Sequence, residues 1–352
     1  TGNNTYNSDS GVFVSSDGGH SWVKTDSEGA TSVEFAMSDP NIAYAANIGY
    51  VRRSSDGGMT WEVVAGPAWG PPGVLAGFPI DLQVDPADPD RIFANNYGGG
   101  NFLSIDGGQT WSVASTGYTG AQVRDIASHP SAPGSLFAAA RSGLFATSDG
   151  GQSWQGLLND EFAILEVNAV AVDPNNPAHI IAGSNWDGML LETDDGGTTW
   201  RRAIDFLGER QGWRCLEFAP SDPRLIFGGV GGFYSAGSFD DSLPGGGIWL
   251  STDGGASWDP PGDARFADAH IATLAVHPTN PTILYAASPT DGLLRSVDGG
   301  MSWDLSSGLP AQALSVAFNP ADTETVLAGF QGGIYRSTDG GQTWASQPAG
   351  LA

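Results

Sequence analysis

Two aspartates hold the same place in successive stretches of the sequence. Asp81 and Asp125 each lie five residues before the proline of a turn signal. A carboxyl group in a partly dehydrated position can act as a general acid or base, because burial raises its pKa. Glycoside hydrolysis uses two carboxyl groups, ~5–5.5 Å apart for retention or ~6.5–9.5 Å apart for inversion. We predict Asp81 and Asp125 as catalytic candidates; the alternative is that each caps nearby backbone or pairs with an arginine.

A second group of residues brings aromatic rings, carboxylates and arginines to the longest segments between strand signals and to the residues beside them. Aromatic faces stack on the flat apolar faces of sugars, and carboxylates bond to hydroxyl groups. Long loops on a rigid scaffold commonly carry function. The alternative is that the rings only anchor these loops. The predicted ligand-binding residues are Trp69, Trp186, Asp187, Arg124, Trp213, Arg214 and Tyr234.

The elements that must position these residues are set by an eight-fold repeat. Its motif is Ser/Thr-x-Asp-Gly-Gly-x-Ser/Thr-Trp, and successive motif tryptophans lie 39 to 58 residues apart. Self-similarity at this period indicates a repeat architecture in which each repeat is one supersecondary unit. The copies are Ser15–Trp22, Ser54–Trp61, Ser104–Trp111, Thr147–Trp154, Thr193–Trp200, Ser251–Trp258, Ser296–Trp303 and Ser337–Trp344.

The motif is typical of a tight turn between two strands. The glycine pair supplies positive φ, and the aspartate accepts hydrogen bonds from the turn. Eight identical catalytic centres in one chain would be hard to explain, so we interpret the motif aspartates as structural. They are Asp17, Asp56, Asp106, Asp149, Asp195, Asp253, Asp298 and Asp339.

Each repeat carries four short strand signals. In the second repeat they are Ser32–Ala36, Ile42–Ala46, Tyr50–Ser54 and Trp61–Val64. Four strands in about 40–45 residues is the pattern of a β-propeller blade. We predict an all-β chain that forms a single propeller domain over residues 1–352, with eight blades of which the first is incomplete. Seven blades is the alternative, and a further segment of a longer precursor or a partner chain would complete the first blade.

The composition limits the partners. The formal net charge is −25, and Lys24 is the only lysine. Such a surface repels nucleic acid and anionic membranes, and no apolar run is long enough to span a membrane. Cys215 is the only cysteine and the five histidines are mostly far apart in sequence, so we predict no metal site and no cofactor.

The motifs resemble those of the Asp-box, or BNR-repeat, propeller superfamily, and the resemblance covers essentially the whole chain. That superfamily includes xyloglucanases, sortilin-type receptors, sialidases and photosystem II assembly factors. The resemblance implies the fold but not an activity, because its members are enzymes and non-enzymes. A sialidase is disfavoured, since neither Asp90–Phe93 nor Pro223–Ile226 carries the Arg-Ile-Pro motif of that family. The assembly factors present a basic patch, which this acidic chain does not match.

Two functional hypotheses remain from the sequence. The first is a secreted, cell-surface or periplasmic recognition propeller whose loop face binds a glycan or a protein. The alternative is a glycoside hydrolase of the xyloglucanase type that acts on a β-glucan, although a xyloglucanase cleft lies between two propellers and the sequence predicts one.

Overall fold

The structure is a computed structural model. It describes residues 11–17, 20–47, 49–66, 69–71, 78–97, 100–114, 123–129, 131–158, 166–185, 188–205, 207–208, 211–232, 234–235, 238–239, 245–331 and 333–346. For residues 78–81, 96–97, 133, 234–235 and 238–239 only the backbone is described.

Every regular element in these ranges is a β-strand, and no helix of the described part is long and apolar enough to cross a membrane. The first half of the chain forms a hairpin, β1 (Val12–Val14) and β2 (Val23–Asp26), and three sheets. The first sheet is β3 (Ser32–Phe35), β4 (Ala43–Ala46), β5 (Val51–Ser54) and β6 (Glu62–Ala65). The second is β7 (Phe78–Val84), β8 (Ile92–Tyr97), β9 (Gly100–Ser104) and β10 (Ser112–Val113). The third is β11 (Val123–His129), β12 (Ala132–Ala140), β13 (Gly143–Thr147) and β14 (Gln155–Gly156).

Four more sheets and a short two-stranded hairpin follow in the second half of the chain. The first is β15 (Val167–Asp173), β16 (Asn176–Ser184), β17 (Leu190–Thr193) and β18 (Arg201–Ile204). Next are β19 (Gln211–Phe218) and β20 (Ile226–Gly232), which pair with β23 (Ile248–Ser251); β21 (Tyr234–Ser235) and β22 (Ser238–Phe239) form the hairpin. The third sheet is β24 (Thr273–Val276), β25 (Leu284–Ser288), β26 (Gly292–Ser296) and β27 (Asp304–Leu305). The last is β28 (Ala313–Asn319), β29 (Asp322–Phe330), β30 (Gly333–Ser337) and β31 (Ala345–Ser346).

Strand order within the sheets follows the chain. In each four-stranded sheet, neighbours in sequence are neighbours in space. In the sheet of β19, β20 and β23, an isolated bridge between Leu250 and Asp259 takes the place of a fourth strand. The predicted all-β architecture of four-stranded antiparallel units is therefore confirmed, whereas the number of blades stays a prediction.

All eight Asp-box turns have the same internal bonding. The first Ser or Thr donates its hydroxyl proton to the aspartate Oδ1 at 2.7–2.9 Å. The Ser or Thr four residues after the aspartate donates its backbone N–H to Oδ1 and its hydroxyl to Oδ2. The described glycine pairs have φ between 64° and 94°, a range that L-residues rarely adopt. Each aspartate thus stabilises its own turn.

A second bond fixes seven of the described boxes to their own sheets. The N–H of the first glycine donates to a carbonyl oxygen in the turn between the first two strands of the same sheet, or in the first residues of the second strand, at 2.8–3.0 Å. We call this the turn-to-turn bond. It joins Gly57 to Asn41, Gly107 to Asp90, Gly150 to Gly134, Gly196 to Ala178, Gly254 to Arg224, Gly299 to Thr282 and Gly340 to Glu324.

The chain packs as two compact units. The first is Thr1–Val123 with Ala140–Phe145 and Gln155–Leu165, and the second is Arg124–Ala139 with Ala146–Trp154 and Glu166–Ala352. The core of the first unit includes Tyr44, Leu82 and Phe102. The described residues of the second unit include several apolar clusters, one of them around the fully buried Trp213.

Candidate functional site

The first strand of several sheets has an irregular pairing register at one repeated position. The register shifts between Val167 and Ala169 in β15 and between Trp213 and Cys215 in β19. The residues at these shifts are Asn168 and Arg214. Because an extra residue in one strand turns its side chain out of the regular alternation, such shifts are common beside functional sites. In sequence, Arg124 of β11 occupies the equivalent position.

A hydrogen-bonded cluster of the second unit surrounds Arg214. Its guanidinium donates from Nη1 to Asn185 Oδ1 at 2.9 Å and from Nη2 to the carbonyl oxygen of Gly232. Asn168 Nδ2 donates to the same Asn185 Oδ1, also at 2.9 Å. The N–H of Gly232 in turn donates to His270 Nδ1 at 2.9 Å. Asn185 therefore holds both side chains that lie at the register shifts.

Glu166 completes this cluster at the start of β15. Its side chain is buried and accepts a hydrogen bond from Asn185 Nδ2 at 2.7 Å. It has φ of 64°, the one positive φ recorded for a residue other than glycine in the described ranges. A left-handed conformation is unfavourable for glutamate and persists only where surrounding contacts impose it, which is frequent at functional sites.

Two carboxyl groups of the same unit have raised pKa values. Burial raises the pKa of Asp125, although Oδ2 accepts the N–H of Val170 at 3.0 Å. Glu217 on β19 is enclosed by protein yet still partly accessible to water. Burial raises the pKa of Glu217 to about 7, and the charge of Asp125 acts in the same direction. At neutral pH Glu217 is thus poised to release or accept a proton, as a general acid or base must.

Arg214 experiences a pKa shift in the opposite direction. Burial lowers the pKa of Arg214 to about 10, with a further contribution from the positive charge of Arg124. The guanidinium of Arg214 remains protonated at neutral pH. Arg124, Arg214 and the amides can bind the hydroxyl groups of a polar ligand, and the two carboxyl groups of raised pKa, Asp125 and Glu217, can exchange a proton. Cys215 lies between these groups, and burial raises the pKa of its thiol, which disfavours the thiolate that a nucleophile needs.

Known proteins resemble this chain both in the Asp-box repeat and in the fold. Residues 335–346 match the BNR/Asp-box repeat family. The chain is also similar to the structure of a GH74 enzyme from Niastella koreensis, with a TM-score of 0.57 and 20% identity over 93% of this chain and 49% of that one. This chain is an Asp-box β-propeller.

Two xyloglucanases are similar to the propeller in sequence. One, from Acetivibrio thermocellus, is 28% identical over 57% of this chain and 23% of its own length. The other, from Paenibacillus sp, is 30% identical over 54% of this chain and 19% of its own length. The matched part of the propeller thus spans about a fifth of each of these relatives.

Two of the predicted ligand-binding tryptophans are core residues of the propeller. Trp69 is 3% exposed, packs with its ring centroid 4.9 Å from that of Trp111, and donates its Nε1–H to the carbonyl oxygen of Asn47. Trp213 has no exposed surface and donates its Nε1–H to the carbonyl oxygen of Gly188 at 2.7 Å. Each indole has buried its face and satisfied its donor, so neither is available to stack on a sugar in this conformation. Sequence placed them near the surface because an aromatic ring beside a long loop has the same pattern in either role.

Of the remaining predicted site residues, some have side chains that the structure describes and others do not. The structure brings Arg124, Arg214 and Asp125 into the cluster around β11, β15 and β19. Trp186 and Asp187 lie outside the described residues. Asp81 follows a register shift in β7 and Tyr234 lies in β21, but their side chains are outside the described set.

Sequence reasoning missed Glu217, Asn168 and Asn185. Glu217 interrupts the apolar first strand of its sheet between Leu216 and Phe218, both buried, and an isolated acid in that setting was an available signal. Asn185 gave no signal, because its importance depends on contacts with residues 17 to 29 positions away.

Proposed function

We propose that this propeller belongs to a glycoside hydrolase that binds and cleaves a xyloglucan-type β-glucan outside the cytoplasm. The observation that carries the proposal is the presence, in one unit, of two carboxyl groups of raised pKa, Asp125 and Glu217, of which the first acts electrostatically on the second, in a chain whose sequence relatives are xyloglucanases. A polysaccharide substrate of this size supports an extracytoplasmic location.

The two carboxyl groups suit different tasks. Glu217 is protonated in a substantial fraction of molecules at neutral pH, so it can donate a proton to the departing glycosidic oxygen. Asp125 is fixed by the N–H groups of Val170 and Ile126, so its orientation is set before a ligand binds. Asp81 remains a candidate for the same chemistry.

The surrounding polar groups suit glycan binding. The cations and amides around Arg214 offer donors to sugar hydroxyl groups, and the fixed geometry of Asn185 limits the entropy lost on binding. The alternative, a recognition propeller that binds a glycan or a protein without cleaving it, uses the same surface and differs in having no proton transfer.

The test measures cleavage and binding separately. Reducing-end release from xyloglucan should fall by roughly 10²–10⁴-fold in Glu217→Gln and strongly in Asp125→Asn, while affinity electrophoresis shows retained binding. Glu62→Gln, an exposed carboxylate on β6, is the matched control, and Asp81→Asn tests the third carboxyl group. Binding without release by the unaltered chain would favour the recognition propeller. The absence of both binding and release would exclude xyloglucan as the ligand.

A further inference from the structure

A histidine and three carboxylates gather at the sheet of β15 to β18, apart from the cluster around Arg214. His179 lies on β16, Glu192 lies on β17, and Asp173 is the last residue of β15. Asp194 is the second residue of the fifth Asp box. One ligand atom from each of His179, Glu192 and Asp194 lies within 4.8 Å of the others. His179 is 13 and 15 positions from Glu192 and Asp194 in sequence, so only the fold brings the histidine to these two acids.

The distances match the requirements of a small divalent cation. His179 Nε2 and Glu192 Oε1 are 3.1 Å apart. Zinc bonds of about 2.0–2.2 Å at tetrahedral angles place neighbouring ligand atoms ~3.3 Å apart. The histidine and glutamate are therefore already at nearly the right separation, and Asp194 is close enough to become a third ligand by a side-chain adjustment.

Two further residues orient this pair. Asp173 Oδ2 lies 3.3 Å from His179 Nδ1, the arrangement in which a carboxylate fixes the ring of a metal-binding histidine. Arg201 Nη2 lies 2.5 Å from Glu192 Oε2, which leaves Oε1 directed at His179. The outer groups thus hold Nε2 and Oε1 facing each other.

Burial and charge also suit a cation. The side chains of His179 and Glu192 are 8% and 2% exposed, whereas Asp194 is exposed and offers an entry route. Of the carboxylates, Glu192 pairs with the guanidinium of Arg201. An imidazole nitrogen with two carboxylate oxygens favours zinc or a similar transition metal over calcium or magnesium, which prefer all-oxygen ligands.

The cluster also departs from the repeat that surrounds it. The second residue of the box is Asp194 here, whereas in the other seven boxes it is Ser, Thr, Ile or Val. The residue just before the box is Glu192, whereas it is arginine at positions 53, 295 and 336. These acids are therefore not needed to form the turn.

We propose that His179, Glu192 and Asp194 form a binding site for a divalent transition metal ion such as Zn²⁺, with Asp173 and Arg201 orienting the first two ligands. The competing state is a metal-free network in which a protonated His179 bridges Asp173 and Glu192.

The experiment titrates chelator-treated protein with ZnCl₂ in a non-coordinating buffer at pH 8 and follows calorimetric binding and thermal unfolding. The expected result is stoichiometric binding and a Tm that rises with zinc concentration. Asp194→Asn, at an exposed position that should not affect folding, weakens binding at least tenfold, and His179→Gln abolishes it. Asp205→Asn and His20→Gln, both exposed and outside the cluster, bind as the unaltered chain does.

Three results would overturn the proposal. The first is the absence of any zinc-dependent heat or Tm change. The second is equal zinc binding by Asp194→Asn and the unaltered chain, which stays decisive even if His179→Gln fails to fold. The third is an equal response to MgCl₂, which would exclude a site built for a transition metal.

Discussion

The aspartates of the Asp boxes and the carboxyl groups of the first strands respond to the fold in opposite ways. Hydrogen bonds from the Ser or Thr four residues later lower the pKa of Asp56 and Asp195 to about 2. Burial raises the pKa of Asp125, and it raises that of Glu217 to about 7. The first pair is exposed and repeated in every box, whereas the second is enclosed and its positions carry an acid in only one or two repeats. Repetition therefore marks residues that build the scaffold, and departure from the repeat marks residues available for function.

The largest effect should come from the core beside the candidate site. Trp213→Ala should lower the free energy of unfolding by roughly 3–5 kcal/mol, because it empties a fully buried position packed against Trp249 and Trp258. Chemical denaturation measures this. A variant as stable as the unaltered chain would show that Trp213 is not a core residue. Trp213 would then again be a candidate for ligand binding.

The opposed pKa values should give opposite pH dependences of stability. Glu217 has a pKa raised from its ordinary 4.5 to about 7, so it holds its proton longer in the folded state and its contribution to stability is lost as pH rises through that interval. Denaturation curves at several pH values should show this decline in the unaltered chain and a flatter profile in Glu217→Gln. Identical profiles would remove the basis for Glu217 as the proton donor.

Asp-box carboxylates should act in the acid range. Their lowered pKa means that their contribution is present above about pH 4 and lost as pH falls toward 2. Asp195→Asn should therefore lower Tm at pH 7, by less than Trp213→Ala does, and the difference from the unaltered chain should shrink near pH 2. A difference that does not depend on pH would mean that the carboxylate charge is irrelevant to the turn.

The smallest effect should come from the first Asp box. Trp22 is 62% exposed, whereas Trp200 and Trp303 are 6% and 3% exposed. Trp22→Ala should change the free energy of unfolding by less than about 0.5 kcal/mol, against several kcal/mol for Trp303→Ala. Equal losses in the two variants, measured by denaturation, would show that Trp22 is covered in solution.

The sequence predicted the fold well because its signals are local. An Asp box is decided within eight residues, by one carboxylate, two hydroxyl groups and two glycines, and all eight turns have the expected aspartate bonding. The first strands were harder to interpret, because their side chains contact residues tens of positions away. Asn185 illustrates this. Its three partners are Asn168 in β15, Glu166 just before β15, and Arg214 in β19, and no spacing rule links them.

The same limit explains why the sequence did not predict the burial of Trp69 and Trp213; the absence of a metal site stays a prediction. Whether an indole faces water or a neighbouring sheet depends on packing that a sequence does not encode locally. His179, Glu192 and Asp194 similarly fit no short ligand motif, since the hairpin of β16 and β17 brings them together only after register is set.

The turn-to-turn bond lies inside a single sheet. Donor and acceptor both belong to one repeat, from Gly57 and Asn41 in the second repeat to Gly340 and Glu324 in the last. A duplicated or deleted repeat would therefore keep both partners of this bond together. The cost of such an exchange would come instead from the bonds between sheets, such as that from the Val170 N–H to Asp125 Oδ2, so the first strands set how freely repeats can be exchanged.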